Sequence, residues 1–178
     1  MLHTAILTAC QLASRVARGL ETAPVDATAA AQFRVFFGQD PTQPFPGALN
    51  IAARDCAACQ FERVEEALRR ANTLYRCDPC TGLRQEPPAS SILDAHAIAI
   101  PARNQVLLCP TFWSLPPILR AGVLLHEMFH LRFAPFFRHD ATERRQNSAY
   151  CYEAFALSVA GQAPDPLAIH KCQATPIT

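Results

Sequence analysis

The chain has 178 residues, enough to bury a core of its own, and half of them are hydrophobic against 17% charged, which speaks against intrinsic disorder. The formal net charge is +1 and basic residues form no block, so phosphate-driven nucleic-acid binding is disfavoured. No apolar run approaches the roughly 20 residues that a membrane-spanning helix needs.

The first predicted element is an amphipathic helix over residues 2–20. Leu2, Ile6, Ala9, Ala13, Val16 and Leu20 recur at helical spacing, and Gly19 stands near its end. This segment makes a poor secretory signal, because no basic stretch precedes its apolar run. The expectation is a signal removed beforehand or an export route that needs none. Residues 33–38 read as a mixed segment, and residues 39–47, with Pro41, Pro44 and Pro46, as a loop. A long helix is expected from about Pro46 to Tyr75, followed by an irregular stretch over 77–91. Then comes a hairpin: His96 to Ile100, a turn at Pro101 to Asn104, and a second strand over Gln105 to Cys109. A third helix starts at Pro116-Pro117 with Ser114 as a cap and runs to about Phe133, ahead of Pro135. The last predicted helix spans about 141–160 and closes at Gly161. The order predicts an α+β, mostly helical, single domain over 1–178 with one small hairpin or sheet.

Eight cysteines are present: Cys10, Cys56, Cys59, Cys77, Cys80, Cys109, Cys151 and Cys172. An even count favours disulfides and an oxidising destination, secreted or periplasmic. A rival reading is a zinc ribbon, since Cys56-x2-Cys59 and Cys77-x2-Cys80 are separated by seventeen residues. Against it, Cys56 and Cys59 fall inside a helical pattern, where they also serve as small buried hydrophobes.

The chemistry is concentrated in His126-Glu127-Met128-Phe129-His130, an H-E-x-x-H pattern. Its two histidines lie one turn apart on one helix face, so both imidazoles can address one Zn²⁺, while Glu127 reaches a metal-bound water without being a ligand. The bland reading is an apolar helix that happens to carry two histidines. Burying His, Glu and His in so apolar a helix is costly unless they are paired or metal-bound. For a third ligand, His139 does not fit the metzincin spacing. Asp140, after the helix breaks at Pro135, and Glu153, in the next helix, both fit, and spacing leaves the choice open. Glu143, Asp165 and His170 are weaker candidates. His96 reads as a strand residue, and His3 and His170 as solvated.

Several segments carry a family resemblance. They are Val35-Phe36-Phe37-Gly38, Tyr75-Arg76-Cys77-Asp78-Pro79-Cys80, the strand Val106-Leu107-Leu108-Cys109-Pro110-Thr111-Phe112-Trp113, Ala121-Gly122-Val123-Leu124-Leu125-His126-Glu127, and Ser148-Ala149-Tyr150-Cys151-Tyr152-Glu153-Ala154-Phe155. Over residues 33–160 the chain resembles the aspzincins, the deuterolysin and peptidyl-Lys metalloendopeptidase family, with residues 1–32 as an N-terminal helix and connection. The resemblance implies a zincin-like fold, zinc held by His126, His130 and Asp140, and Glu127 as general base. The family's G-T-x-D-x-x-Y is reduced here to its Asp, and Glu143 stands where the family has a tyrosine. Tyr150 or Tyr152 is left to supply the hydroxyl, with Tyr152 taken as the catalytic candidate. The resemblance also implies disulfides Cys80–Cys109 and Cys10–Cys77.

The expected function is zinc-dependent endopeptidase action on a protein or peptide substrate, in a secreted protein or a delivered bacterial effector or toxin. An inhibitory or immunity partner is left unspecified. Preference for lysine would need a carboxylate in the pocket, for which Asp94, Glu143 and Asp165 are candidates. The alternatives are a catalytically degenerate, disulfide-rich binding module and a zinc-ribbon interaction protein.

Overall fold

The computed structural model describes residues 1–45, 48–70, 72–80, 96–134, 136–137 and 143–177. Helix α1 spans Leu2–Glu21, as its periodicity predicts. Its buried face is built on Ala5, Ala9, Ala13 and Ala17 with Leu12, Val16 and Leu20, and the small residues let it lie close against α3 (Ala53–Arg69). Between them comes a helix the sequence reading did not assign, α2 (Ala27–Phe37). Asp26 caps it by accepting a hydrogen bond from the backbone N–H of Ala29 at 2.9 Å. Gly38 ends it in the left-handed region, at φ +68°. Phe33, Phe36 and Phe37 are poor helix formers taken singly, but all three are buried, and that packing overrides propensity.

The helix expected over 46–75 is shorter at both ends. A small antiparallel ribbon, β1 (Pro44–Phe45) with β2 (Ala48–Ala52), precedes α3. At the other end the chain leaves the helix after Arg69 and forms β3 (Leu74–Cys77), which pairs in parallel with β5 (Gln105–Leu108). The predicted hairpin is present: β4 (Ala97–Ile100) runs antiparallel to β5 around a single 3₁₀ turn at Pro101–Arg103. The sheet order is β3-β5-β4, so β5 has a neighbour on each side and is buried throughout.

From β5 the chain passes through a short helix, α4 (Pro110–Ser114), into α5 (Pro117–Phe133). Ser114 does not cap α5; its hydroxyl donates back to the Thr111 carbonyl at 2.7 Å. The last predicted helix begins later than expected. A 3₁₀ turn at Arg145–Asn147 leads into α6 (Ala149–Val159), and residues 141 and 142 lie outside the described residues. A final helix, α7 (Pro166–Ala174), was not predicted, although Asp165 followed by Pro166 gives it an ordinary start. Arg145 fastens the end of the chain. Its guanidinium donates to the carbonyls of Thr175, Gln173 and Val35, and its backbone N–H to that of Pro176.

The result is a mostly helical α+β architecture. Its buried residues form one cluster, centred on Phe33, Phe37, Phe61, Phe129, Tyr152 and Phe155 where α2, α3, α5 and α6 meet. Among the described residues no helix is long and apolar enough to cross a membrane.

Two disulfides are formed. Cys80–Cys109 is the one the resemblance implied, and Cys151–Cys172 ties α6 to α7. The implied Cys10–Cys77 bridge is absent: Cys10 is buried on α1, where desolvation pushes its thiol up, and Cys77 is exposed on β3. The ribbon reading is also corrected. Cys80 is committed to Cys109, while Cys56 and Cys59 sit within α3.

Candidate active site

The apolar surroundings of α5 leave three polar side chains inside it. His126 and Glu127 are 6% and 7% exposed, and His130, one turn on, is half-buried. The two imidazole Nε2 atoms face each other at 3.1 Å. Each ring is held from behind through Nδ1. His130 Nδ1 lies 3.0 Å from the Phe137 carbonyl, which can only accept, so that nitrogen carries the proton. His126 Nδ1 lies 3.1 Å from a Glu153 carboxylate oxygen on α6.

With Nδ1 protonated on each ring, both Nε2 lone pairs would point at the same small volume. Lone pairs this close repel unless a proton or a cation lies between them. Two arms of about 2.0–2.1 Å to one ion, spread by about 100°, give this separation, which suits tetrahedral zinc. The pair therefore fits a metal ion, and the second contact of each ring is the kind that orients metal-binding histidines. Among the described residues no three His, Cys, Asp or Glu side chains converge on one point. Asp140, the third ligand that the resemblance implies, lies outside the described residues, as do His139 and Asp94.

Glu153 is placed differently from the third-ligand role considered for it in the sequence. It meets His126 at Nδ1, on the far side of the ring from His130, and so does not sit where Nε2 points. It is 4% exposed, and burial pushes its carboxyl up to about 8. Asp165 pushes the same way and His96 opposes. Those two groups are themselves 3.9 Å apart, and Asp165 also caps α7 by accepting from the Leu167 N–H.

The two candidate tyrosines are placed differently. Tyr152 is 1% exposed, its hydroxyl donates to the Gln146 carbonyl at 3.1 Å, and its ring packs on Phe37 and Phe129. It belongs to the aromatic core. The tyrosine beside the imidazoles is Tyr150, whose ring meets that of His126 edge-on at 4.4 Å between centroids. Burial raises its phenol well above the ordinary value, and the carboxylates of Glu127, Glu153, Glu143 and Asp165 add to this. Tyr150 thus keeps its proton and remains a hydrogen-bond donor. The signal was present in the sequence: Tyr150 and Glu153 are three residues apart and share a helix face, which Tyr152 does not.

Sequence reasoning missed the structural part played by Gly122. It lies one turn before His126, and a Cβ there would stand 2.9 Å from Leu157 Cδ1 and 3.3 Å from Glu153 Oε1. His170 and His3 are exposed, as expected, and Glu143 is half-buried.

Two curated proteins align with most of the chain. A neutral protease 2 homolog, MEP6, of Coccidioides posadasii (strain C735) is 30% identical over 130 residues, which cover 67% of this chain and 34% of the relative. A neutral protease 2 homolog of Uncinocarpus reesii (strain UAMH 1704) is 32% identical over 151 residues, covering 76% of this chain and 38% of the relative. The chain thus spans little more than a third of the length of the curated relatives it matches. No family profile matches it.

Proposed function

The chain belongs to the aspzincin family, with neutral protease 2 homologs among its relatives, and on that premise we propose that it is a zinc-dependent endopeptidase acting on protein or peptide substrates. The observation that carries this reading is the pair of Nε2 atoms 3.1 Å apart, with Glu127 next in sequence to one of them. His126 and His130 would hold the ion, with Asp140 as the third ligand. Bound there, zinc supplies a Lewis acid that polarises the scissile carbonyl and acidifies water.

The protein's own groups account for the proton movements. Glu127 takes the proton from water as it adds to the carbonyl carbon. It then returns that proton to the nitrogen as the C–N bond breaks. Tyr150, whose ring meets that of His126, is held protonated and offers a hydrogen bond to the carbonyl oxygen as charge builds on it. It would fill the role of the family tyrosine that Glu143 replaces.

Two disulfides suit an oxidising compartment, so the proposed location is secreted or extracellular. The single domain over 1–178 belongs to the same proposal.

The test is Glu127→Gln in the zinc-loaded chain, assayed on an unfolded protein substrate with product termini sequenced. Zinc binding should persist and cleavage should disappear. Equal cleavage by the variant overturns the mechanism. The replacement of the family tyrosine by Glu143 favours one rival, a degenerate binding module. A wild-type protein that binds zinc and cuts nothing would establish that rival.

A further inference from the structure

The two histidines are held from behind by different means. His130 leans on a backbone carbonyl, Phe137, which any side chain at that position would provide. His126 leans on a side chain twenty-seven residues away, delivered by another helix. A carboxyl 4% exposed in an otherwise apolar seam is an expensive choice for a core position. A well-packed apolar residue there would serve stability at least as well.

The seam is shaped for this contact. α6 crosses α5 at Gly122, where the absent side chain leaves a bare turn of helix. The stem of Glu153 passes over that turn: a Cβ on residue 122 would stand 3.4 Å from Glu153 Cγ and 3.3 Å from its Oε1. Leu157, one turn further along α6, would be closer still, at 2.9 Å. Any side chain at 122 therefore crowds the Leu157 and Glu153 side chains just where Glu153 must reach over that turn.

We propose that Glu153 is a positioning residue for His126, accepting a hydrogen bond from Nδ1–H so that the Nε2 lone pair is aimed into the site, and that Gly122 leaves free the space through which the Glu153 side chain reaches that ring. This deepens the zinc reading of the preceding section where affinity is concerned. The tautomer claim stands without any metal.

The experiment begins with the metal-free full chain labelled with ¹⁵N histidine, the His126 signals being assigned by their loss in His126→Gln. Nitrogen chemical shifts should report the Nδ1–H tautomer in the wild type. In Glu153→Leu they should report a shift towards Nε2–H. Zinc affinity is then read by competition with a chromophoric chelator. Removal of such outer partners weakens metal binding by roughly 10- to 100-fold. Glu153→Gln should show a loss of that order, while the metal-free protein melts no lower than wild type. Glu153→Asp should recover part of the loss, and Gly122→Ala should move affinity in the same direction as Glu153→Gln, by less.

A wild-type His126 protonated at Nε2 overturns the proposal, whatever the protein does with metal or peptide. So does a Glu153→Gln protein that holds zinc within about twofold of wild type, the loss expected of an outer partner being tenfold or more. Failure of the peptidase reading would look different. A wild type with the Nδ1–H tautomer and tight zinc that leaves peptides uncut would end that reading and leave the role of Glu153 in place.

Discussion

The α1–α3 layer and the α5–α6 seam are both buried helix pairs, and they are built from different materials. The buried residues of α1 and α3 are mostly alanine, leucine, valine and phenylalanine, with Cys10 and Gln60 beside them and no charged side chain, and the Arg69–Glu65 pair, one turn apart, keeps its arginine in solvent. Between α5 and α6 the same kind of apolar packing surrounds His126, Glu127 and Glu153, all under 8% exposed. The first layer is what a helix pair looks like when only stability is at stake. The second places groups with a desolvation cost where packing alone would never put them, and the lesson is that the two layers should fail in different ways.

The sharpest way to expose that difference is Glu127→Gln, which should cost roughly 100- to 10,000-fold in turnover, the range of a lost general acid–base. Its thermal midpoint should stay near that of the wild type; a large drop would place Glu127 among the structural residues instead. The converse change is Leu20→Ala, a fully buried α1 side chain. It should destabilise by about 2–5 kcal/mol in urea denaturation while zinc affinity of the folded protein is unchanged. A change in affinity would mean that the two layers are coupled.

Replacing Cys151 and Cys172 together by alanine should lower stability by about 2–4 kcal/mol, the usual worth of such a bridge. Because Cys151 lies two residues before Glu153, chelator competition on this variant sharpens the comparison: a loss of affinity larger than that of Glu153→Gln would show that α7 helps hold the seam closed. The smallest effect should come from Glu65→Gln. It removes an ion pair whose arginine is mostly in solvent, and urea denaturation should register no change.

Much of the first layer was legible in the sequence, because a period of 3.6 residues is a local signal. The same is true of α5, with Pro117 at its start and Pro135 after its end, and of the hairpin at Pro101–Asn104. What escaped depended on distant partners. Nothing local tells Leu74–Cys77 to leave a helical pattern; β5, some thirty residues on, does that. The aromatics of 33–37 read as a mixed segment until the core they fill is known. In the site, H-E-x-x-H identified the imidazoles and the acid between them. The place of Glu153 behind His126 required knowing how α6 crosses α5 at a bare glycine, and the Cys10–Cys77 pairing, which the resemblance implied, is not formed.

Arg145 holds the last turn of backbone against the end of α2, and Ile177 closes over Gly38, where any Cβ would collide with it. The tail therefore behaves as a latch on the first third of the molecule. Removing residues 173–177 would take away the partners of Arg145 and the cover over Gly38, loosening an early helix and the turn that launches α6 in one stroke.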